Sequence, residues 1–394
     1  MKWQYCIVVE DSTRSMNYGI GKYVECLKKV LSERSDINLI IIHVTKIQDI
    51  QHNSVFGDIW ISRAMFENKS SLELYLRNFL DVAVPTIIHF NGLLIEELGA
   101  IFRNMIRHSR VVCTIHFLSW YFSLMGNKTL FKEIIANKGL VDLHPKASIT
   151  YKYYLENKKN IMFCDFVIVL CNETKEILVD YFEINPTKIY VIPNGLDINE
   201  NFILRSPIKD KQIIYSGRID PIKGVYYLAK AMNIVKRVYP EARLILAGDS
   251  TDEKYLNDCL YDAENIKYVG KLTSEQLHKA YSESIIGILP SFHEQCSYSA
   301  IEMMMHKLPI IGSNTTGLSE MLSNTPQNCV SIYGNTSFQT DYINNIALCI
   351  IRLLSDEEYR KKCSIDMWNT YTNQFTFDHF KIKMNTFINN IQLV

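Results

Sequence analysis

Along the chain, short strand-like runs rich in apolar residues alternate with longer stretches in which apolar positions recur at helical spacing. The short runs, at residues 5–9, 38–44, 59–63, 86–90, 111–116, 166–171 and 188–192, read as strands, and the spaced patterns at 21–34, 71–80 and 95–109 read as helices. The alternation resumes at 211–215 and continues through 228–238, 243–247, 266–269, 275–282, 285–289, 299–306 and 309–312. A run such as 166–170 is apolar at every position, which suits a strand covered on both faces. Strands separated by helices predict parallel pairing with right-handed crossovers. The pattern therefore predicts an α/β protein with two doubly wound domains, at 1–195 and 196–372. Pro193, Asn194 and Gly195 are turn residues and, with the polar run to Lys211, mark the linker. The closing stretch, 373–394, places Phe380, Met384, Phe387 and Ile391 at helical spacing.

Composition narrows the classes. At 394 residues the chain is long enough for about two or three domains. Lys and Arg total 42, and so do Asp and Glu, so the net charge is zero and no general case for nucleic acid arises. Ten Cys include no Cys-x-x-Cys pair. Cys6, Cys113 and Cys171 fall in strand-like runs, as small buried hydrophobes of a reducing compartment do. The N-terminus carries no signal-like apolar run, and no apolar stretch reaches the length of a membrane span. A cytoplasmic location is expected.

The stretch that carries most chemistry runs from 289 to 309. A strand ends before Pro290, a polar turn follows, and a helix opens near Ser297, with Ser297 and Ser299 as candidate caps. Glu294 sits in the loop and Glu302 about one turn inside the helix, on one face with Ser299, Met303 and His306. Free N–H groups at the helix start make an anion site between them. Two carboxylates beside an anion site suit a ligand with both phosphates and hydroxyls, as in a sugar nucleotide. A capped helix with two solvated glutamates would show the same spacing, so the rest of the chain has to decide. After the strand at 211–215, Gly217 turns the chain, and Arg218 and Lys223 follow, a planar fork and a point charge suited to a diphosphate. Gly19 and Gly21 lie where the first strand hands over to a helix. They suit close approach to a phosphate, and equally a tight turn; Val24 stands where a dinucleotide fingerprint has its third glycine. His116 ends a strand, where ligands of parallel sheets bind. No Asp-x-Asp pair, zinc spacing, P-loop or nucleophile elbow occurs, so no metal is expected.

Taken in order, Pro193-Asn194-Gly195, Gly217-Arg218 with Lys223-Gly224, Ala247-Gly248-Asp249, and Glu294 with Glu302 resemble the signature of retaining GT-B glycosyltransferases of family 4, also called group 1. The resemblance is specific over about 192–322; the N-terminal half matches only in the glycine loop, His116 and the strand pattern. It implies a GT-B fold, two Rossmann-like domains whose parallel sheets face across a cleft, with the last helix crossing back to the first domain. It also implies retaining, metal-independent transfer of a hexose from a UDP- or GDP-linked sugar, with no cofactor. Arg218 and Lys223 would neutralise the leaving diphosphate, Glu302 hold the ribose, and Glu294 and His116 lie near the transferred sugar. Cys296, Ser297 and Tyr298 would supply backbone donors, Gly19, Gly21 and Gly217 would approach the phosphates, and backbone near Leu272 would pack on the base. Lys307 and Ser297 stand where the family commonly has glycine; Ser297 bears on how the donor sugar fits. The alternatives are a non-catalytic GT-B partner subunit or carbohydrate-binding module, a nucleotide-sugar epimerase, and a phosphorylase. A non-catalytic descendant would be expected to have lost Arg218, Lys223 or Glu294, and all three are present.

The acceptor, whether glycan, lipid-linked saccharide or peptide, is not legible. From 103 to 159 the chain carries ten Lys or Arg (Arg103, Arg107, Arg110, Lys128, Lys132, Lys138, Lys146, Lys152, Lys158, Lys159) against three acids. Trp120, Tyr121, Phe122, Tyr151, Tyr153 and Tyr154 are interleaved with them. Two readings compete: a wall for the acceptor that touches an anionic membrane surface, or a helix pair whose charges are met by acids in 165–200.

Overall fold

The computed structural model describes residues 2–10, 18–45, 58–92, 95–137, 139, 141, 145–198, 211–261, 264–332 and 338–393. The chain forms two compact units. The first comprises Met1–Ser123, Thr129–Pro193 and Phe380–Val394, and the second comprises Leu124–Lys128 and Asn194–His379.

The first unit is built on β1 (Trp3–Glu10), β2 (Ile37–Thr45), β3 (Asp58–Ser62), β4 (Thr86–Phe90), β5 (Ser109–Ile115), β6 (Phe166–Val169) and β7 (Ile189–Val191). They form one parallel sheet in the order β3-β2-β1-β4-β5-β6-β7. The apolar-rich runs are its strands. β4 is buried at every residue, and Cys6 of β1 and Cys113 of β5 are fully buried beside it. The order reverses between β1 and β4, so the crevice at their carboxyl ends is a topological switch point. The helix Phe377–Leu393, from Phe380 on, belongs to this unit. Its Phe380 meets Tyr23 at 5.6 Å and Phe387 meets Tyr190 at 4.8 Å, both edge to face. Arg34 donates to Asn385 and Asn389 on the same helix.

The second unit carries β8 (Gln212–Ser216), β9 (Arg243–Ala247), β10 (Ile266–Gly270), β11 (Ile286–Leu289), β12 (Ile310–Ser313) and β13 (Cys329–Val330). These too are all parallel, in the order β10-β9-β8-β11-β12-β13. Its switch point lies between β8 and β11. The helix Val225–Val238 packs on this sheet through Val225, Leu228, Ala229, Met232 and Val235, the three-and-four spacing seen in the sequence. Parts of three expected features lie outside the described residues: the lead-in to Gly19 at 11–17, most of the linker at 199–210, and Lys138.

Candidate active site

The carboxyl edge of the second sheet is shaped by glycines. Gly217 follows β8 with φ +149°, Gly248 follows β9 with φ +148°, and Gly270 closes β10 with φ +67°. A Cβ on Gly248 would lie 1.8 Å from the Gly217 carbonyl oxygen, so no side chain fits there. The three turns lean on one another: Gly217 N–H donates to Ala247 O at 3.0 Å, Gly248 N–H to Gly270 O at 2.8 Å, and Ile219 N–H to Asp249 O at 2.8 Å. This fixes the segment bearing Arg218, whose guanidinium lies 3.3 Å from Asp220 and whose carbonyl accepts from the Tyr215 hydroxyl.

A short turn, Pro221–Lys223, then delivers Lys223. Gly224 leaves it with φ +67°, packed so closely that a Cβ would lie 2.0 Å from Pro290 O. Phe292 N–H donates to Ile222 O at 2.8 Å, which ties this turn to the loop after β11. As a result Lys223 Nζ donates to Glu294 Oε1 at 2.7 Å, although the two are 71 residues apart. Ser291 Oγ donates to the same oxygen at 3.0 Å, and Gly317 N–H to the Glu294 carbonyl at 2.8 Å. Both side chains of the pair are largely buried, at 18% and 13% exposure. Removing one partner would strand a charge in a poorly solvated place. Next to them His293 is buried, and burial, then the charge of Lys223, pushes its ring down to about 3. It is neutral at pH 7.

The helix Tyr298–Met305 starts here, with Ser297 as its cap accepting Ala300 N–H at 3.4 Å; Ser299 falls inside the first turn. Ser297 has φ −74°, so nothing in its backbone calls for glycine. Lys307 differs: its φ is +56°. Lys307 N–H returns to Met304 O and Leu308 N–H to Met303 O, the bond pair of a left-handed helix stop, where glycine is favoured. Cys296, Ser297 and Tyr298 are buried, and Cys296 O accepts Asn194 Nδ2–H at 2.7 Å. Glu302 is 5% exposed and accepts the Tyr281 hydroxyl at 3.0 Å; the same hydroxyl touches Ser216 Oγ. Burial, then Glu302, raises the Tyr281 phenol well above its ordinary value, so it stays a donor. Sequence reasoning missed Tyr281 and Ser216, because nothing in their spacing links them to Glu302. Beside them His278 Nδ1 and His306 Nε2 lie 2.8 Å apart. Leu272 is half-buried, two residues past Gly270.

Gly19, Gly21 and His116 belong to the first unit. Both glycines lie in the first turn of the helix Gly19–Ser32, which Tyr18 enters without a side-chain cap, and Val24 is core. His116 follows β5 and is half-buried. Its Nε2 donates to Asn91 Oδ1 at 3.1 Å, and Tyr23 meets its ring edge to face at 4.8 Å. Burial holds the ring well below the ordinary histidine value. Behind it runs a buried polar chain: Tyr23 OH to Thr114 Oγ1 at 2.9 Å, Thr114 Oγ1 to His89 Nε2 at 2.7 Å, and His89 Nδ1 to Tyr5 OH at 2.8 Å. His89 is fully buried and pushed down to about 3.

The basic and aromatic stretch at 103–159 turns part of its aromatic content inward. Trp120 stacks on Tyr121 at 3.8 Å and on Phe131 at 4.1 Å, and these rings and Tyr154 are core, since so much flat apolar area is better buried than solvated. Arg103 pairs with Asp165, Lys158 with Glu183 and Lys159 with Glu96. Among the described residues no helix is long and apolar enough to cross a membrane.

Residues 198–366 match the family described as glycosyl transferases group 1, and residues 20–200 match glycosyltransferase family 4. A glycosyltransferase of Methanocaldococcus jannaschii is 28% identical over 212 residues, 50% of this chain and 52% of that one. The chain spans about half or less of the length of the curated relatives it matches. Sucrose-phosphate synthase from Thermosynechococcus elongatus superposes with a TM-score of 0.73 at 19% identity, covering 100% of both chains. HepE of Anabaena, solved with UDP and glucose and with UDP-glucose, gives 0.68 at 12% identity, covering 98% of this chain and 99% of that one. At such identities the two structures share the fold alone with this chain. With two family matches running between them from residue 20 to residue 366, on two parallel-sheet units of the GT-B type, the chain belongs to the group 1, or family 4, glycosyltransferases.

Proposed function

We propose that this chain is a retaining, metal-independent hexosyltransferase that uses a nucleoside diphosphate sugar and an acceptor hydroxyl on a glycan, a lipid-linked saccharide or a peptide. The observation that carries the reading is the Lys223–Glu294 pair, held between glycine turns at the carboxyl edge of the second sheet. Lys223 keeps two further N–H donors for a diphosphate while Glu294 anchors it, and Arg218 lies five residues earlier, just after β8. Cation and helix N-terminus together favour the charge that grows on the leaving diphosphate. The bond from the anomeric carbon to the diphosphate breaks, the acceptor oxygen bonds to that carbon from the same face, and its proton passes to the leaving phosphate oxygen. Glu302, oriented by Tyr281, accepts from the ribose hydroxyls. The UDP and UDP-glucose complexes of HepE favour UDP as the nucleotide to try first.

Hydrolysis of UDP-glucose without acceptor, compared with Lys223→Ala, tests the reading. Turnover should fall by about a hundredfold or more. Equal turnover in a folded variant would leave the partner-subunit or carbohydrate-binding alternative standing. Activity should also persist in excess EDTA, and loss restored by magnesium or manganese would refute metal independence. We place the acceptor side at what stays exposed of 103–159, including Phe122, Ile149, Lys152 and Leu155. Absence of binding to anionic vesicles at low salt removes the membrane contact.

A further inference from the structure

At the switch point of the first sheet one buried amide is left over. Asn91 follows β4 directly, and its backbone N–H donates to Val8 O at 3.0 Å, which ties it to β1. It is 3% exposed. Its Oδ1 takes the Nε2–H of His116, and its Nδ2 has no hydrogen-bond partner among the described residues. Buried amide hydrogens without a partner are rare in native proteins, because the group has given up water for nothing. The contact with His116 fixes where this amide faces: toward the edge at which β1, β4 and β5, adjacent in the sheet, all end. Glu10 closes β1 there. Its carboxylate lies so near Gly92 that a Cβ on Gly92 would sit 3.3 Å from Glu10 Cγ, and Arg63 pairs with it.

The geometry constrains the histidine as well. A carbonyl oxygen only accepts, so Nε2 must carry the hydrogen, and Nδ1 is left with its lone pair. Asn91 Nδ2–H and His116 Nδ1 then form a donor and an acceptor held by one contact. The two lie on opposite sides of the contact, so separate ligand groups meet them: a hydroxyl can accept from Nδ2–H or donate to Nδ1, whereas a phosphate or carboxylate oxygen can meet only Nδ2–H. We propose that Asn91 is the positioning residue of His116: it sets the Nε2–H tautomer, and it keeps its own Nδ2–H group for a hydroxyl of the bound sugar. This rests on the glycosyl-transfer reading for the identity of the ligand, and not for the tautomer. Around the ring stand Tyr23, edge on, and His89, which reaches it through Thr114 and Tyr23. Burial keeps both histidines uncharged at pH 7.

Nitrogen-15 NMR of histidine-labelled full-length protein reads the tautomer directly. His116, assigned by its loss in His116→Gln, should show a protonated Nε2 and a bare Nδ1; in Asn91→Leu that preference should disappear. Asn91→Asp is close to isosteric and keeps the test if the leucine variant does not fold. Its carboxylate favours the imidazolium, which turns Nδ1 into a donor. UDP-glucose turnover should then fall about tenfold near pH 6 and recover toward about pH 8, while UDP binding stays as in wild type. A protonated Nδ1 in the wild type, or an unchanged pH profile in Asn91→Asp, overturns the assignment. If the wild type turns over no nucleotide sugar, the glycosyl-transfer reading falls and the tautomer measurement still decides the pairing.

Discussion

At the carboxyl edge of the second sheet the groups that meet are charged: Lys223 against Glu294, Arg218 against Asp220. They stand on short turns separated by glycines that tolerate no side chain. At the same edge of the first sheet the groups are mostly neutral: Asn91, His116, and behind them Thr114, Tyr23, His89 and Tyr5. They stand on the strands, just past two strand ends, and on one helix. The same parallel topology is thus finished in two ways. One edge is suited to stabilising charge, and the other to holding uncharged hydroxyls in place.

Substitution should separate the two edges. If the proposed transfer holds, Arg218→Ala should lower turnover on UDP-glucose by on the order of a hundredfold, against about tenfold for His116→Ala, since in that reaction a lost cation at the leaving group costs more than a lost neutral contact. Equal losses would mean that both edges serve the charge. Gly248→Ala should destabilise the second unit by about 3 kcal/mol, because the new Cβ runs into the Gly217 carbonyl. Gly270→Ala should cost only about 1 kcal/mol, because there only the positive φ objects and nothing lies within 4 Å. Chemical denaturation of the pair measures this, and similar midpoints would mean that the interlocked turns relax.

Acid should act on both edges. His89 and His293 have folded values near 3, against an ordinary value of about 6.5 in the unfolded chain. Below about 6.5 the unfolded chain takes up protons that the folded one refuses, so stability is whole above that pH and is lost on the way down to 3. The slope is about 1.4 kcal/mol per pH unit for each buried ring. The first unit should lose more, since half-buried His116 adds to His89 there. Calorimetry at pH 7 and pH 5 checks this, and a single pH-independent transition would contradict it. The smallest effect is a gain. Lys307→Gly should stabilise by about 0.5–1 kcal/mol, because its φ of +56° suits glycine; an unchanged melting temperature would show that the contact of Lys307 over Trp368 compensates.

The same contrast governs what could be read from the sequence. The inner strands were legible because burial on both faces favours apolar runs, unbroken at β6. The edge strand Cys329–Val330 was not, being only two residues long. Arg218, Lys223, Glu294 and Glu302 drew attention through short spacings of charge beside turn residues. Asn91 and Tyr281 did not: their partners lie 25 and 21 residues away on other elements, and neutral side chains carry no mark of where they will meet. Two readings of the stretch around Trp120, Tyr121 and Tyr154 competed because composition says nothing about which way a ring faces; packing turned these three inward.

The first unit is assembled from three segments of chain, and the last of them begins at Phe380. During synthesis, the 194–379 portion of the second unit emerges before that segment does. Until then Tyr190 and Tyr23 lack the rings that cover them, and Arg34 lacks Asn385 and Asn389. Translation runs at about 5–20 residues per second, so the earlier-made half waits many seconds with apolar surface open. Chaperones and proteases that survey nascent chains would therefore meet this protein chiefly through its N-terminal half, although that half is made first.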